Sequence, residues 1–490
     1  MKNIFTLTFI CLTCFYIDAQ NITAKLVDKN TGVPIQYASI KTGKYSGVIS
    51  NEEGYFTINT ENETLKTISV SCLGYQNKEL SLEDIKTLNF IIKLDEAINE
   101  LGEVYISNKN PNADSIISKV KSRLTSNYKS TLNKYNIFRR TTDYVDFKNL
   151  KFEIEKASHV KKRNLESVNN DLQALSNKVR ESDIVQFEDF KGEFYTFNKD
   201  SSKLVVNKAT QLLDYKNDFS IEQIQEKSQK IVLKYLDTTK TYKLKSGLFK
   251  IEDSLSLKDE NSEENNKKEY ETSYLNKETR SFFKRSQFYK NSFLNKLLLF
   301  DYYEYTYVDV AYNNNELTHI ISFTPKKGKA KYTGKLFISD DTYAITRVDY
   351  KYYKNRHGEK LNLRLILGIK YIENICSGTF LFEKDSSNIY HPKYLKRTTG
   401  SYFYVNRDVK FIENSKARNK VSFSFKIEGD NRNKEELLFT ANNKLSLADF
   451  ESIKQKKVVP YKQLSKFEKT IWDNEQIIEP SSEMKTFQSD

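Results

Sequence analysis

From Lys134 onward, aromatic and β-branched residues alternate with charged ones in run after run, at residues 135–138, 151–155, 302–310, 331–338, 343–353, 360–372, 378–382, 402–411 and 421–427. A chain written this way folds as an antiparallel meander with one wet face. Its clearest strand is the stretch 361–369, where Leu361, Leu363, Leu365, Leu367 and Ile369 put an apolar side chain at every odd position. With 32 tyrosines and 31 phenylalanines against 15 glycines and 6 prolines, the composition favours strands over glycine-rich loops. Helical breaks are predicted near residues 165–179 and 221–235. The charged, apolar-poor run 258–271 reads as a solvated loop, and Asp340 and Asp341 between two strand runs read as a hairpin turn, not as paired catalytic carboxylates.

The start of the chain is of another kind. Met1, Lys2 and Asn3 precede an apolar run over residues 4–17, and Asp18, Ala19 and Gln20 come after it. That is the outline of a secretory signal peptide over residues 1–19, giving a mature chain from Gln20 in the periplasm, at the outer membrane or on the cell surface. Cys11 and Cys14 lack the preceding small residue that lipidation requires. Once the signal is removed only Cys72 and Cys376 remain, which excludes a disulfide scaffold; a bridge between the two stays open, although Cys72 in its apolar strand pattern reads as a buried thiol. No later segment approaches 18 uninterrupted apolar residues, so no transmembrane helix is expected. The formal charge of +13 would suggest nucleic acid in a cytoplasmic protein. An exported chain seldom meets any, so the charge reads as solubility first and as attraction to anionic lipid head groups or acidic glycans second.

Between Asn21 and Leu94 the strands are short and separated by turns. Residues 23–28 and 35–40 read as one hairpin around Lys29, Asn30, Thr31 and Gly32. Residues 47–50 and 55–58 read as a second around Asn51, Glu52, Glu53 and Gly54, and the stretches 65–73 and 88–94 add two more strands. Strands at this spacing make a sandwich. Val27 and Asp28, Thr31 to Ile35, Tyr37 to Ile40, Gly47 and Val48, Glu53 to Phe56, and Val70 to Tyr75 together resemble the carboxypeptidase-like regulatory domain found at the N-terminus of exported Bacteroidetes proteins, including TonB-dependent receptors. Ala24 stands where such domains often carry glycine, and Ser50, Asn51 and Glu52 stand where threonine and aspartate are common. The resemblance implies a transthyretin-like β-sandwich that cleaves no peptide itself.

Residues 95–106 resemble the stretch that joins this sandwich to a receptor plug, but the residues after 106 do not resemble a plug. Ile116, Val120 and Leu124, with Ile117 beside them, mark an amphipathic helix over residues 112–128, with Asp114 and Ser115 as its cap residues. The run from Tyr332 to Val348 is similar to a hairpin of exported Bacteroidetes proteins carrying this sandwich. It is also similar, weakly, to the half-barrel sheets of lipoprotein carriers, which implies a curved sheet wrapping a helix. The expected architecture is therefore mainly β. It comprises a signal at 1–19, a transthyretin-like sandwich at 20–95, a linker with a helix at 96–130, a large antiparallel, curved β-sheet domain with a few helices at 131–475, and a polar tail at 476–490.

Chemistry is harder to place. His159, His319, His357 and His391 show no metal-ligand spacing, and the turn at Asn51 lacks the alternating carboxylates of a calcium loop. No Gly-x-Ser-x-Gly, His-Glu-x-x-His or phosphate loop occurs. The sequence thus names no catalytic, cofactor-binding or metal-ligating residue and no cofactor. A non-enzymatic cell-envelope protein is expected, structural or binding a partner protein or an apolar ligand, with membrane-surface association open and nucleic acid not expected. The alternative is lipid or glycan binding by the curved domain, for which Trp472 is thin support. An outer-membrane barrel or a hydrolase ranks lower. An apolar pocket between sheet and helix would favour a carrier, and a sheet filled by its own side chains a scaffold.

Overall fold

The computed structural model describes residues 21–43, 46–60, 65–97, 111–129, 132–158, 160–182, 184–214, 236–247, 249–256, 271–313 and 316–488. The signal at 1–19, His159, the helix expected at 221–235 and nearly all of the loop at 258–271 lie outside them. The chain divides into two compact units. One holds residues 1–104, 311–316 and 468–485, the other residues 105–310, 317–467 and 486–490.

The first unit is a sandwich. Its strands are β1 (Asn21–Asp28), β2 (Ser39–Gly43), β3 (Ser46–Ile49), β4 (Tyr55–Asn59), β5 (Thr67–Ser71), β6 (Lys78–Ser81) and β7 (Ile91–Leu94), with a short helix, α1 (Leu82–Thr87), before β7. They form a three-stranded sheet, β4-β1-β7, and a four-stranded sheet, β3-β2-β5-β6. Neither hairpin expected from the sequence forms as one ladder. β1 meets the returning chain at the single bridge Val27 to Pro34, flanked by the Ile35 N–H on the Leu26 carbonyl at 3.0 Å, and β3 and β4 belong to different sheets. Period-two patterning records which side chains are buried, not which strand is the neighbour, and in a sandwich successive strands cross between layers. The turn at Asn51 is such a corner: its side-chain oxygen accepts from the backbone N–H of Glu53 and of Tyr55, both at 2.9 Å. Gly54 sits close by at φ +79°, where a Cβ would meet the Leu26 carbonyl oxygen at 2.5 Å. Leu26, Ile40, Phe56, Val70 and Ile92 fill the space between the sheets.

The polar tail expected at 476–490 is in large part folded structure. Ile477, Ile478 and Met484 are buried, and Trp472 before them is buried too. Asn51 donates to the Glu479 carbonyl at 3.2 Å, and Ser482 donates its N–H and hydroxyl to the Glu53 carboxylate at 2.9 and 2.6 Å. Three apolar anchors in a polar context suffice for docking, and composition averages them away.

The second unit is built on a 14-stranded sheet. Its strands are β8 (Asn133–Ala157), β9 (Ile184–Phe197), β10 (Ser201–Leu212), β11 (Thr241–Ser246), β12 (Phe249–Ser256), β13 (Tyr303–Asn313), β14 (Glu316–Pro325), β15 (Tyr332–Ser339), β16 (Ile345–Tyr352), β17 (Lys360–Leu363), β18 (Ile369–Lys384), β19 (Tyr390–Glu413), β20 (Lys420–Lys444) and β21 (Lys462–Leu464). The path runs β13-β14-β15-β16-β18-β19-β20-β8-β9-β10-β21, so among the described residues the sheet is open, with β13 and β21 at its edges. That is not the closed ring of an outer-membrane barrel. Every pairing in which registers are assigned is antiparallel except β10 with β21.

β8 and β20 each run 25 residues, about 80 Å at the usual rise per residue. Each is long enough to serve two cores. At one end lie Tyr135, Ile137, Leu395, Leu437 and Phe439 with three helices, α2 (Ala113–Asn127), α4 (Thr272–Arg285) and α5 (Phe293–Leu297). At the other end Phe147, Phe152, Ile154 and Phe423 pack with Leu172 and Val179 of α3 (Lys162–Arg180). β9 pairs with β8 only as far as Val145, and beyond it α3 covers the open edge: the Asn169 amide bonds both the N–H and the C=O of Ile154, at 2.9 and 3.1 Å.

Two helical expectations stand in the described residues, α2 and α3, although the α2 cap is Asn112, whose side chain accepts from the Ser115 N–H at 3.0 Å, rather than Asp114 or Ser115. The stretch 361–369 departs from expectation. The strand stops at Leu363, residues 364–367 form one helical turn, and Gly368 at φ +64° starts the return into β18. Leu365 is fully exposed and Ile366 is 70% exposed. The alternation presumed a buried face that the fold does not supply there.

Candidate functional site

The helices α2, α4 and α5 bring apolar side chains to one face of the large sheet. In α4 these are Leu275, Thr279, Phe282 and Phe283, all buried and spaced as one helical stripe. This i, i+4, i+7, i+8 pattern was the signal for α4 in a segment whose charge hid it. Phe282 meets Phe380 edge-on at 6.3 Å, and Phe283 packs against Phe194 at 5.5 Å and Phe439 at 6.0 Å. The face is filled by its own side chains.

Charge has been placed inside this packing. Arg139 and Arg140 are neighbours on β8, so they point to opposite faces, and Glu435 and Glu436 divide in the same way on β20. On the helix-covered face Glu435 accepts from Arg139 Nη2 at 2.8 Å and from Arg397 Nε at 2.8 Å, with a second contact from Arg397 Nη2. Burial acts to raise the Glu435 carboxyl, and the two guanidiniums outweigh it, holding the group below the ordinary carboxylate range. On the other face Arg140 grips Asp189 with a two-point fork at 2.8 and 2.7 Å. Here burial prevails over the single arginine and leaves the Asp189 carboxyl above its ordinary range. The Tyr394 hydroxyl donates to Glu436 at 2.7 Å. The doublets Arg139-Arg140 and Glu435-Glu436 inside strand patterns were the sequence signal for this network.

Beside it lies a cluster rich in phenols. The Arg285 guanidinium stacks 4.4 Å from the Phe293 ring, close to Tyr332, Tyr350 and Cys376. Arg285 forms no ion pair among the described residues. Among the described residues its Nε has no hydrogen-bond partner, while the guanidinium faces the hydroxyls of Tyr332 and the buried Tyr350. Tyr352 donates to Glu373 at 2.8 Å. Burial pushes the Cys376 thiol up, so it is not a thiolate nucleophile at neutral pH. Thiol titration of the native mature chain is expected to leave Cys376 unmodified until denaturant is added; fast native labelling at Cys376 would show that the cluster is open to solvent.

Two of the histidines, His391 and His319, are held within the packing. His391 Nδ1 meets the Tyr135 hydroxyl at 3.1 Å and its Nε2 meets Asp385 at 3.2 Å, while His319 is held likewise by Tyr307 at 3.2 Å and Asp340 at 2.8 Å. The order Tyr–His–Asp imitates a catalytic triad, but burial drives the Tyr135 phenol far up and holds the His391 imidazole down. The hydroxyl of this relay stays protonated and serves packing. Asp340 sits in the turn between β15 and β16, as its spacing predicted. Trp472, the glycan-platform candidate, is buried, as are Tyr303 and Tyr305 of the aromatic run at 302–307. Cys72 and Cys376 both remain thiols and are not bridged. Among the described residues no cluster of metal-ligating side chains occurs, and no helix is long and apolar enough to cross a membrane.

Residues 22–106 match the CarboxypepD_reg-like domain, a module without catalytic function. No curated protein matches the chain. The match agrees with the resemblance carried by Thr31 to Ile35 and Val70 to Tyr75, and covers the sandwich and the stretch after it as far as residue 106.

Proposed function

We propose that the chain is a non-enzymatic cell-envelope protein in which the regulatory-type sandwich accompanies a large sheet domain that binds a partner protein. The observation that carries this reading is the filled helix-covered face, where Phe282, Phe283, Phe380 and Phe439 occupy the space an apolar cargo would need. Its polar side chains form ion pairs such as Arg139 to Glu435 rather than a nucleophile beside a base. The first segment, with its basic start and apolar run, supports export.

A second reading has one observation in its favour. Arg285, outside any ion pair among the described residues and with its Nε unbonded beside an apolar core, suits the carboxylate or phosphate head of an amphiphile.

Native mass spectrometry of the protein purified from envelope extracts separates the two. A ligand-free mass that starts at Gln20 is expected, with envelope proteins recovered after crosslinking. A stoichiometric lipid lost by Arg285→Leu would replace the partner reading with the carrier one. A chain recovered from cytoplasm with Met1 in place would sink the envelope assignment altogether.

A further inference from the structure

The stretch 360–370 reads Lys-Leu-Asn-Leu-Arg-Leu-Ile-Leu-Gly-Ile-Lys, with three basic residues, no acidic one and six large apolar ones. It carries the strongest strand pattern in the chain, yet it does not lie in a core. Leu361 is 46% exposed, Leu365 102% and Ile366 70%. The turn is nevertheless held firmly. The Gly368 N–H bonds the Arg364 carbonyl at 3.1 Å, Arg407 Nη1 donates to the Leu367 carbonyl at 2.8 Å, and the Asn406 N–H donates to the Gly368 carbonyl at 2.8 Å. A Cβ at position 368 would meet the Asn406 carbonyl oxygen at 2.0 Å, so the backbone approach that fixes the turn requires glycine. The fold spends specific contacts on displaying two apolar side chains to solvent.

A second apolar edge lies close by. β18 begins at Ile369 opposite Val405 of β19, and β11 ends at Ser246 opposite Val409 on the same edge, because β20 occupies the other one. The two ends are therefore about 13 Å apart along β19. β12, next in the chain after β11, exposes Phe249 and Ile251. Lys360, Arg364 and Lys370 enter no ion pair among the described residues; Arg364 and Lys370 lie over the Tyr404 and Tyr402 rings at 4.3 and 5.1 Å. β12 carries two acids after Ile251: Asp253 is paired with Lys243 and Lys250, and Glu252 enters no ion pair among the described residues.

We propose that residues 360–370, with Phe249 and Ile251, dock on an anionic phospholipid surface. Leu365 and Ile366 enter the acyl boundary while Lys360, Arg364 and Lys370 meet the head groups. Two narrow apolar projections, the first with cations outside any ion pair at its base, suit a bilayer, where apolar insertion and surface charge add. A protein interface calls instead for a continuous complementary patch of several hundred Å². The proposal rests on the envelope reading, which sets the chain beside a membrane surface.

The test is flotation of the full mature chain with phosphatidylglycerol-containing vesicles and with pure phosphatidylcholine vesicles. Binding is expected for the first and not the second, weakening as salt is raised. The double variant Leu365→Ser, Ile366→Ser should lower partitioning by at least about tenfold. Lys360→Ser with Arg364→Ser should cost about fivefold per charge. All four side chains are exposed, so circular dichroism should match the parent and guard against misfolding. Failure to bind either vesicle, or binding unchanged in both variants, overturns the proposal. Neither result touches the envelope assignment, which the mature N-terminus and fractionation decide separately.

Discussion

Asp189→Ala is expected to destabilise the large sheet domain by about 3–5 kcal/mol, the usual cost of removing one partner from a buried ion pair. Arg140 is buried, Asp189 holds it with a two-point fork, and Glu436, opposite it on β20, already accepts from Tyr394. The measurement is urea unfolding followed by far-UV circular dichroism, with a lower midpoint and an unchanged slope. The control is the double replacement Arg140→Met, Asp189→Leu. Swapping both charges for apolar groups of similar size is often neutral or stabilising, so this variant should regain most of the loss. If the single variant costs less than about 1 kcal/mol, the value typical of a solvated surface pair, the pair is not buried in solution. If the double variant is as unstable as the single one, the loss comes from packing around Phe138 rather than from a stranded charge.

This pair also shows where sequence reading stops. The alternation of the runs located β13, β15, β16 and parts of β8, β18, β19 and β20, because each has one face against a core and one toward water. It could not join residues 135–138 to 151–155 as one strand. Between them the buried face passes from the core of α2 and α4 to the core of α3, and the polar stretch there reads as a gap. β9, β10 and β14 went unread for a related reason. Asp189 in β9 and His319 in β14 are buried polar residues at positions where alternation expects an apolar side chain. In the sandwich the motif residues gave the domain but not the pairing, since the crossing between sheets at Asn51 and Gly54 is written in turn geometry. The candidate cluster was silent altogether: Arg285, Tyr350 and Cys376 lie on three separate elements, and only the pairing of β16 with β18 and the packing of α4 on the sheet bring them together.

The two buried carboxylates provide the sharper test, because their titrations run in opposite directions. Glu435, held by Arg139 and Arg397, titrates below its ordinary value in the fold. Its contribution is therefore fully present above the unfolded pKa of about 4.3 and is lost as pH falls through the folded value. Asp189, with one arginine, titrates above its ordinary value. Its contribution is present below about pH 3.9 and is lost as pH rises through the folded value. Glu435→Gln should thus flatten the acid limb of stability against pH, and Asp189→Asn should steepen it. At neutral pH, Glu435→Ala strands two guanidiniums beneath α4 and should cost about 3–5 kcal/mol. Adding Arg397→Leu to Glu435→Ala should recover part of that cost and Arg139→Leu more, since Arg139 is buried while Arg397 is partly exposed. Chemical unfolding between pH 3 and pH 7, in steps of about half a unit, measures all of these. Acid limbs that move the same way in Glu435→Gln and Asp189→Asn would mean that the number of arginines facing each carboxylate does not set its ionisation.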